Sequence, residues 1–262
     1  MTGLSAAARA LRWTASDTLA LAGRSLRHWM RQPQLMLLST VQPVMLVVLF
    51  THVFGGAVAT PGFEYVDFLL PGIMVQVVAW DSTQTAVGIA ADRASSAIDR
   101  FRSMPMSAPA VLAGRTLADA GRNLLVTAVM VAVGHLVGFR FHGGAAAAVG
   151  AILLVVAFGY ALSWLFAFIG LAARGAEAAL AISFVVVFPL MFASSAVVPP
   201  ATMPNWLRPF ATYQPISLTV DAARALATGE PAGAWLPGAL AWTAAILAIA
   251  VPLAVRRFHR AG

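Results

Sequence analysis

The sequence contains no cysteine and no lysine, and it has few charged residues of any kind. Without cysteine it has no disulfide, no thiolate metal ligand and no cysteine nucleophile. Without lysine it has no phosphate-binding loop of the G-x-x-x-x-G-K-S/T type, because that loop places a lysine ammonium on the nucleotide phosphates. These 262 residues therefore hold no ATPase site of this kind.

Charged residues make up 10% of the chain and hydrophobic residues 60%. Soluble domains average about 25% charged residues, so this composition cannot cover a surface that faces water. We therefore predict an all-α integral membrane protein, because helices satisfy their own backbone hydrogen bonds in lipid. At this length a single membrane domain over residues 1–262 is expected. In a membrane protein the positions of the positive charges determine the topology of the chain. The net charge of +7 is therefore no sign of nucleic-acid binding, and no nucleic-acid partner is expected.

Six apolar stretches reach, or come near, the roughly 20 residues that a membrane helix needs. The predicted spans are Leu35–Gly56, Asp67–Ala91, Leu124–Phe139, Ala145–Leu171, Ala179–Val198 and Trp235–Val255. The third is long enough only if it continues backward through Arg122 or forward to Phe141. Positive residues in short flanking loops stay cytoplasmic, and the arginines cluster before the first span, between the second and third, and after the sixth. This pattern predicts a multi-pass protein of the cell membrane with both termini in the cytoplasm.

Three segments outside the spans have patterns of their own. Residues 15–33 place apolar and basic side chains on different helix faces, which is typical of a helix that lies in the membrane interface. The pattern of residues 92–105 predicts a short amphipathic helix. Ile98 and Phe101 lie on its apolar edge, and an exposed apolar edge indicates a binding partner. A solvated, positively charged connector is the alternative for that loop. Residues 199–230 are too rich in proline to span, and they predict short helices resting at the outer interface with Trp206 and Tyr213 as anchors.

Two patterns concern the third span. Arg115, Asp119 and Arg122 have a spacing that allows pairing along one helix. Gly134 and Gly138 form a G-x-x-x-G pattern, for which close helix packing is the interpretation.

Asp81 lies near the middle of the second span, where an ionisable carboxyl costs about 2.5–3.5 kcal/mol on insertion scales. Gln76, Trp80 and Gln84 flank it. Asp81 is either a residue of a substrate path or subunit interface, or a buried acid that is hydrogen-bonded to a neighbouring helix. It has no intramembrane carboxylate partner in the sequence that predicts an aspartyl dyad, and no H-E-x-x-H or G-x-S-x-G motif occurs. No catalytic residue, metal site or enzymatic activity is therefore predicted.

The order of motifs along the chain resembles the permease subunit of type-two ATP-binding-cassette (ABC) exporters, with closest similarity to the daunorubicin-resistance permease group. The resemblance covers nearly the whole chain. Beyond the basic segment before the first span, its motifs are Gln42-Pro43, Phe68-Leu69-Leu70-Pro71-Gly72, Asp92-Arg93, Arg100-Phe101-Arg102-Ser103-Met104-Pro105, Phe188-Pro189, Ser194-Ser195, Val198-Pro199, Met203-Pro204, Trp206-Leu207, Gln214-Pro215, Asp221-Ala222 and Arg224-Ala225-Leu226.

The resemblance implies a six-helix permease that works as a dimer, with an identical or homologous second chain and two copies of a separate nucleotide-binding subunit. ATP and magnesium would be bound by that subunit, and no cofactor by this chain. Residues 15–33 would be the connecting helix, 92–105 the coupling helix and 199–230 a re-entrant helical hairpin. Ser95-Ser96 departs from the acidic-Arg-Gly run that is common in the family. The ATPase-coupling residues would be Asp92, Arg93, Ile98, Asp99, Arg100, Phe101 and Met104.

The function that this resemblance implies is export of an amphipathic drug, lipid or glycoconjugate from the cytoplasmic side, along a path between the second and fifth spans. Membrane lipid is a further expected partner. Two alternatives stay open: a proton-coupled secondary carrier that uses Asp81, and a non-transporting membrane scaffold. The residues assigned to the path are Gln76, Trp80, Asp81, Gln84, Phe188 and Phe192.

Overall fold

The computed structural model describes residues 33–54, 64–94, 108–196 and 199–260, together with Gly23. These residues form α-helices, one 3₁₀ turn and loops, without a strand, which confirms the predicted all-helical class within the described ranges. The helices are α1 (Pro33–Phe54), α2 (Tyr65–Ala94), α3 (Ala108–Val137), α4 (Gly144–Ala172), α5 (Ala176–Phe192), α6 (Arg208–Tyr213), α7 (Pro215–Thr228) and α8 (Trp235–Arg260).

A helix of 17 to 30 residues lies at each of the six predicted span positions. Three described segments are both long and apolar enough to cross a bilayer, namely Leu112–Val137, Gly144–Ala172 and Trp235–Arg260. The apolar stretch Val41–Val53 of α1 and the whole of α5 are shorter. α2 has 30 residues, but its polar side chains lower its hydropathy. The count of six spans stays a prediction.

Of the two extensions that the short apolar run of the third span allowed, the structure has the backward one, because α3 begins at Ala108 and continues through Arg122. The predicted end at Phe139 is wrong: the helix stops at Val137, where Gly138 takes a φ of 115° and the Phe139 N–H donates to the Gly134 carbonyl at 2.8 Å. This is a glycine helix end. Of the G-x-x-x-G pair, Gly134 packs against α2, since a Cβ there would lie 2.5 Å from Leu70 Cδ2, while a Cβ at Gly138 would lie 2.9 Å from Glu64 Oε2.

The fifth and sixth spans differ from their predicted ends. α5 stops at Phe192 rather than Val198, and its 17 residues correspond to about 25 Å of helix. The span predicted from hydropathy is too long because the uncharged residues after Phe192 were included in it. In the structure Ala193–Ala196 are not helical. α8 continues beyond Val255 to Arg260, because charged residues mark where the apolar environment ends and not where the helix ends.

α4 is the central helix, and it packs against α2, α3, α7 and α8. Its close contact with α2 depends on glycines. A Cβ at Gly159 would lie 2.1 Å from Val78 Cγ1, and a Cβ at Gly170 would lie 2.5 Å from the Ala86 carbonyl oxygen. Ser82 Oγ also donates to the Gly159 carbonyl at 3.3 Å. Small residues thus bring the two backbones together, as is common between membrane helices.

The remaining predicted segments are described in part. Of the interfacial segment 15–33, only the helical Gly23 and the start of α1 lie within the described residues. Of the coupling helix 92–105, residues 92–94 continue α2 as its last turn, and the rest lies outside the described residues. The proline-rich segment 199–230 does form short helices: a 3₁₀ turn at Pro200–Thr202, then α6 and α7.

Candidate functional site

Six polar side chains form a seam between α2 and α3, which we call the polar ladder. They are Asp81, Thr85 and Asp92 on α2, and Arg115, Asp119 and Arg122 on α3. Because each set recurs at helical spacing and the helices run in opposite directions, the side chains meet in three successive pairs. Arg122 Nε donates to Asp81 Oδ2 at 2.8 Å, and Thr85 Oγ1 donates to Asp119 Oδ2 at 2.7 Å. The third pair is Arg115 with Asp92.

Asp81 and Asp119 share the guanidinium of Arg122. Arg122 Nη2 lies 3.4 Å from Asp119 Oδ1, and the side chains of Asp81 and Arg122 are only 19% and 17% exposed. A second carboxylate therefore does lie near Asp81, which the sequence did not indicate. Each carboxylate contacts a different nitrogen of Arg122, so the arrangement is a shared ion pair and not an aspartyl dyad. The contact seen at Asp81 is that of a buried acid bonded to a neighbouring helix.

The last turn of α2 is tied to two other helices. Arg93 Nη1 donates to the carbonyls of Leu171 at 2.8 Å and Ala173 at 3.4 Å, at the end of α4. A cation is favourable there, since the last carbonyls of a helix lack partners within it. Its neighbour Asp92 pairs with Arg115 of α3. The other predicted coupling residues lie outside the described residues: Ile98, Asp99, Arg100, Phe101 and Met104.

Aromatic rings join α2 to α5 in what we call the aromatic column (Trp80, Phe184, Phe188 and Phe192). Trp80 meets Phe184 edge-on at 5.6 Å between ring centroids, Phe184 stacks on Phe188 at 4.8 Å, and Phe188 meets Phe192 at 4.3 Å. The three phenylalanines are exposed on the surface of the chain. The predicted path residues Trp80, Phe188 and Phe192 are thus brought together through Phe184, which sequence reasoning missed although it lies one helical turn from Phe188.

The other predicted path residues separate into three environments. Gln76 is half-buried, and its Nε2 donates to the Met191 carbonyl of α5 at 3.3 Å. Gln84 is exposed. Asp81 belongs to the polar ladder. The structure therefore places Gln76 beside α5, near the end where the column finishes at Phe192, and joins Asp81 to α3.

Gln214 connects the end of α5 to the start of α7. Its Oε1 accepts from the Ile216 N–H at 2.9 Å, and its Nε2 donates to the Leu190 carbonyl at 2.9 Å. One amide thereby satisfies groups at a helix C-terminus and at a helix N-terminus, whose backbone atoms have no partner within their own helices. Pro215 fits directly after it, because the first position of a helix needs no N–H donor. This gives a physical reason for the Gln214-Pro215 motif.

Arg224 of α7 binds three separate groups. Its Nε donates to the Phe68 carbonyl at 3.0 Å, its Nη2 to the Ser195 carbonyl at 3.0 Å, and its Nη1 to Asp221 Oδ1 at 2.9 Å. The guanidinium also lies 3.8 Å from the centre of the Phe68 ring, in a cation–π contact. Gly72 permits this junction, since a Cβ there would lie 2.3 Å from the Ala196 carbonyl oxygen. Residues of two distant motifs therefore converge on one arginine.

Asp221 and Arg224 lie outside the predicted spans, and the pKa of each group reflects its burial. Burial raises the pKa of the Asp221 carboxyl, and the Arg224 charge opposes that shift. Burial lowers the pKa of Arg224 to about 10, and the Asp221 carboxylate opposes it. Each charge therefore partly offsets the effect of burial on the pKa of the other group.

Sequence reasoning missed the partners of the polar groups more often than the groups themselves. Arg122 was recognised as a residue through which the third span could extend, but its pairing with Asp81 was not predicted. The available signal was that a carboxylate inside one span and an arginine inside the next both need a partner. The sequence spacing suggested pairing along one helix for Arg115, Asp119 and Arg122. Asp119 and Arg122 do pair within α3, but Arg115 pairs with Asp92 of α2.

A bundle of long apolar helices with charged pairs confined to its interior and its ends is the structure of a multi-helix membrane protein. The chain belongs to the ABC-2 type transporter family, which it matches over residues 16–227. It is thus a membrane permease of the ABC transporter class, and the resemblance drawn from the sequence motifs is confirmed.

The similar proteins are drug-resistance permeases. The chain is 37% identical over 260 residues to the daunorubicin resistance ABC transporter permease protein DrrB1 of Streptomyces coeruleorubidus, which covers 98% of this chain and 92% of the relative. It is 28% identical over 256 residues to the probable doxorubicin resistance ABC transporter permease protein DrrC of Mycobacterium tuberculosis, covering 97% of this chain and 92% of the relative. It is 31% identical over 173 residues to DrrB of the same organism, covering 66% of this chain and 60% of the relative.

Proposed function

We propose that this chain is the transmembrane subunit of an ATP-driven exporter that moves an amphipathic drug, lipid or glycoconjugate from the cytoplasmic side outward. The observation that carries the proposal is the ABC-2 match over residues 16–227 in a chain without a single lysine. A transporter of this class needs ATP hydrolysis, and this chain has no P-loop for it. A separate nucleotide-binding subunit therefore supplies the energy and binds ATP and magnesium. The names of the relatives favour a drug of the daunorubicin or doxorubicin kind as substrate.

The proposed assembly contains two permease chains, identical or homologous, and two nucleotide-binding subunits. Each permease has six spans with both termini in the cytoplasm, which the positions of the arginines support. The bundle end where α2, α4 and α8 finish then faces the cytoplasm, and segment 95–107 docks on the ATPase. The proline-rich segment 199–230 lies at the outer side as a re-entrant hairpin, with exposed Trp206 and Tyr213 at headgroup level.

The aromatic column and Gln76 are proposed to line the substrate path between α2 and α5. The column exposes the rings of Phe184, Phe188 and Phe192 on one side of α5. Aromatic rings bind planar or hydrophobic molecules by stacking and apolar contact. Asp81 then acts through its ion pair with Arg122, which fixes α2 on α3. That pairing weighs against the proton-carrier alternative, because a proton site has to alternate between charged and neutral forms.

Replacing Phe101 with alanine is expected to reduce ATP-driven transport about tenfold, since truncating an aromatic anchor at the centre of an interface costs about 1–2 kcal/mol. The charge reversal Arg100→Glu should act in the same direction. Transport is measured as uptake of daunorubicin into inside-out vesicles that contain this chain and an ATP-binding subunit that co-purifies with it. Phe210→Ala, at an exposed ring of α6, is the matched control and should leave uptake unchanged.

The same vesicles separate the proposal from its two alternatives. Uptake that is driven by a proton gradient in the absence of the ATP-binding subunit would establish a secondary carrier. A chain that inserts normally, co-purifies with no ATPase and moves no probe under either condition would fit the scaffold. Uptake that requires both ATP and the second subunit supports the exporter.

Replacing Phe184 with alanine is expected to raise the half-saturating probe concentration about two- to tenfold, because a lost aromatic stacking contact is worth about 0.5–1.5 kcal/mol. The maximal rate should change less, since the coupling end of the chain is untouched. Val185→Ala is the matched control, because Val185 is exposed beside Phe184 on α5 but is not part of the column. Equal effects of the two substitutions would show that the column has no special part in binding.

A further inference from the structure

An ion pair joins the two helices that flank segment 95–107. The segment begins after Ala94 at the end of α2 and finishes at Ala108, where α3 begins. Asp92 lies in the last turn of α2, and Arg115 lies two turns into α3. Their pair therefore closes the base of the segment, so that a displacement of the segment pulls on α2 and α3 together.

Arg93 extends this fastening to a third helix. Its Nη1 binds the Leu171 and Ala173 carbonyls at the end of α4, at 2.8 and 3.4 Å. α4 is the helix on which most of the bundle packs, and it contacts α7 and α8 as well as α2. Asp92 and Arg93 are adjacent in the sequence, yet they bind different helices. The last turn of α2 thus contacts α3 and α4 at the end of α2 from which segment 95–107 leaves.

Gly88 leaves the space that the Arg115 guanidinium occupies on α2. A Cβ on Gly88 would lie 1.9 Å from Arg115 Nη2 and 3.1 Å from its Cζ, so the guanidinium occupies the space that a larger residue at position 88 would fill. Gly88 is one turn from Asp92, and the guanidinium reaches the Asp92 carboxylate from this position. The glycine, the arginine and the aspartate form one contact.

We infer that Gly88, Asp92, Arg93 and Arg115 form a clamp that transmits the movement of segment 95–107 to α3 and α4. The inference rests on the proposed function, in which that segment docks on the ATP-binding subunit. The clamp residues are positioning residues: they act within this chain, whereas the resemblance assigned Asp92 and Arg93 to contact with the ATPase. When the segment is displaced by ATP-driven closure of the partner, the clamp makes the three helices move as one rigid body.

Gly88→Ala tests the clamp without removing a charge. The added methyl group displaces the far end of the flexible Arg115 side chain and leaves the backbone in place. Gly150→Ala is the matched control, since a Cβ at this α4 glycine meets only Leu226 Cδ1, at an ordinary 3.8 Å. The complex with the ATP-binding subunit is reconstituted in vesicles, and daunorubicin moved and ATP hydrolysed are measured together. We expect Gly88→Ala to lower the amount of probe moved per ATP about fivefold, and Gly150→Ala to leave it unchanged.

A double-mutant cycle distinguishes transmission from a general loss of structure. Arg115→Leu should lower the probe-to-ATP ratio as Gly88→Ala does, and the double variant should be no worse than either, because both changes break the same contact. Additive losses would overturn the inference, as would variants whose transport and ATP hydrolysis fall in parallel at an unchanged ratio. A wild-type complex that hydrolyses ATP and moves no daunorubicin would instead overturn the proposed drug substrate, whichever residues form the clamp.

Discussion

Replacing Arg122 with leucine is expected to destabilise the folded protein by about 3–5 kcal/mol, the cost of removing one partner from a buried ion pair. Arg122 binds Asp81 at 2.8 Å and Asp119 at 3.4 Å, so its loss leaves two carboxylates between α2 and α3 without a cation. The measurement is the denaturant midpoint of the purified chain in detergent micelles, followed by loss of helical circular dichroism. A shift to a much lower midpoint is the expected result.

A second substitution in the same pair gives the sharper comparison. Asp81→Asn combined with Arg122→Leu should recover part of the lost stability, because one of the two unpaired carboxylates is then absent. Arg174→Leu is the matched control: Arg174 is exposed in the connection between α4 and α5, and its loss should shift the midpoint little. If Arg122→Leu were as mild as Arg174→Leu, the polar ladder would not hold α2 and α3 together.

Replacing Arg224 with alanine is expected to cost a similar amount, about 3–5 kcal/mol. The change removes three hydrogen bonds to Phe68, Ser195 and Asp221, together with the cation–π contact on the Phe68 ring. It also leaves the Asp221 carboxylate buried without its counter-ion. The denaturant midpoint in micelles measures the loss, and protease cleavage of the segment after α5 shows whether α7 has come away from α2.

Two further substitutions set the limits of this effect. Arg208→Ala is the matched control, because Arg208 also donates to backbone carbonyls, at Ala201 and Met203, but is exposed. It should cost less than about 1 kcal/mol. Arg224→Lys should fall between the two, since an ammonium keeps the charge but not the planar fork that reaches three acceptors. Full stability of Arg224→Ala would contradict the role assigned to this arginine.

The positions of the helices were predictable because local composition determines them. α4 agrees with its predicted span to within one residue at each end, since a long apolar run between Gly143 and Arg174 has a single interpretation. The end of α5 was not predictable from hydropathy. The residues after Phe192 contain two serines but no charge, so hydropathy continues the span, whereas in the structure Gln214 binds the carbonyls of Leu190 and Ala193 where the chain leaves the helix.

The partners of the polar residues were beyond sequence reasoning for a geometric reason. Helical spacing shows which residues share a face, but not which helix that face meets. Asp81 and Arg122 are 41 residues apart, and Arg224 and the Phe68 carbonyl are 156 apart. The motifs that carried the resemblance contained Phe68, Asp92 and Arg224 without indicating what any of them binds. Gly88 gave no signal at all, because its importance lies only in the space that Arg115 occupies.

The polar ladder also bears on how the chain enters the membrane during synthesis. A helix that carried Asp81 without α3 would bring an unpaired carboxylate into hydrocarbon at about 2.5–3.5 kcal/mol. That cost is largely removed if the two helices leave the translocon together with Arg122 already on Asp81. Only the 13 residues 95–107 separate α2 from α3, so α3 emerges soon after α2 is complete. The expected unit of insertion is therefore the helical hairpin of α2 and α3, in which Arg122 pairs with Asp81.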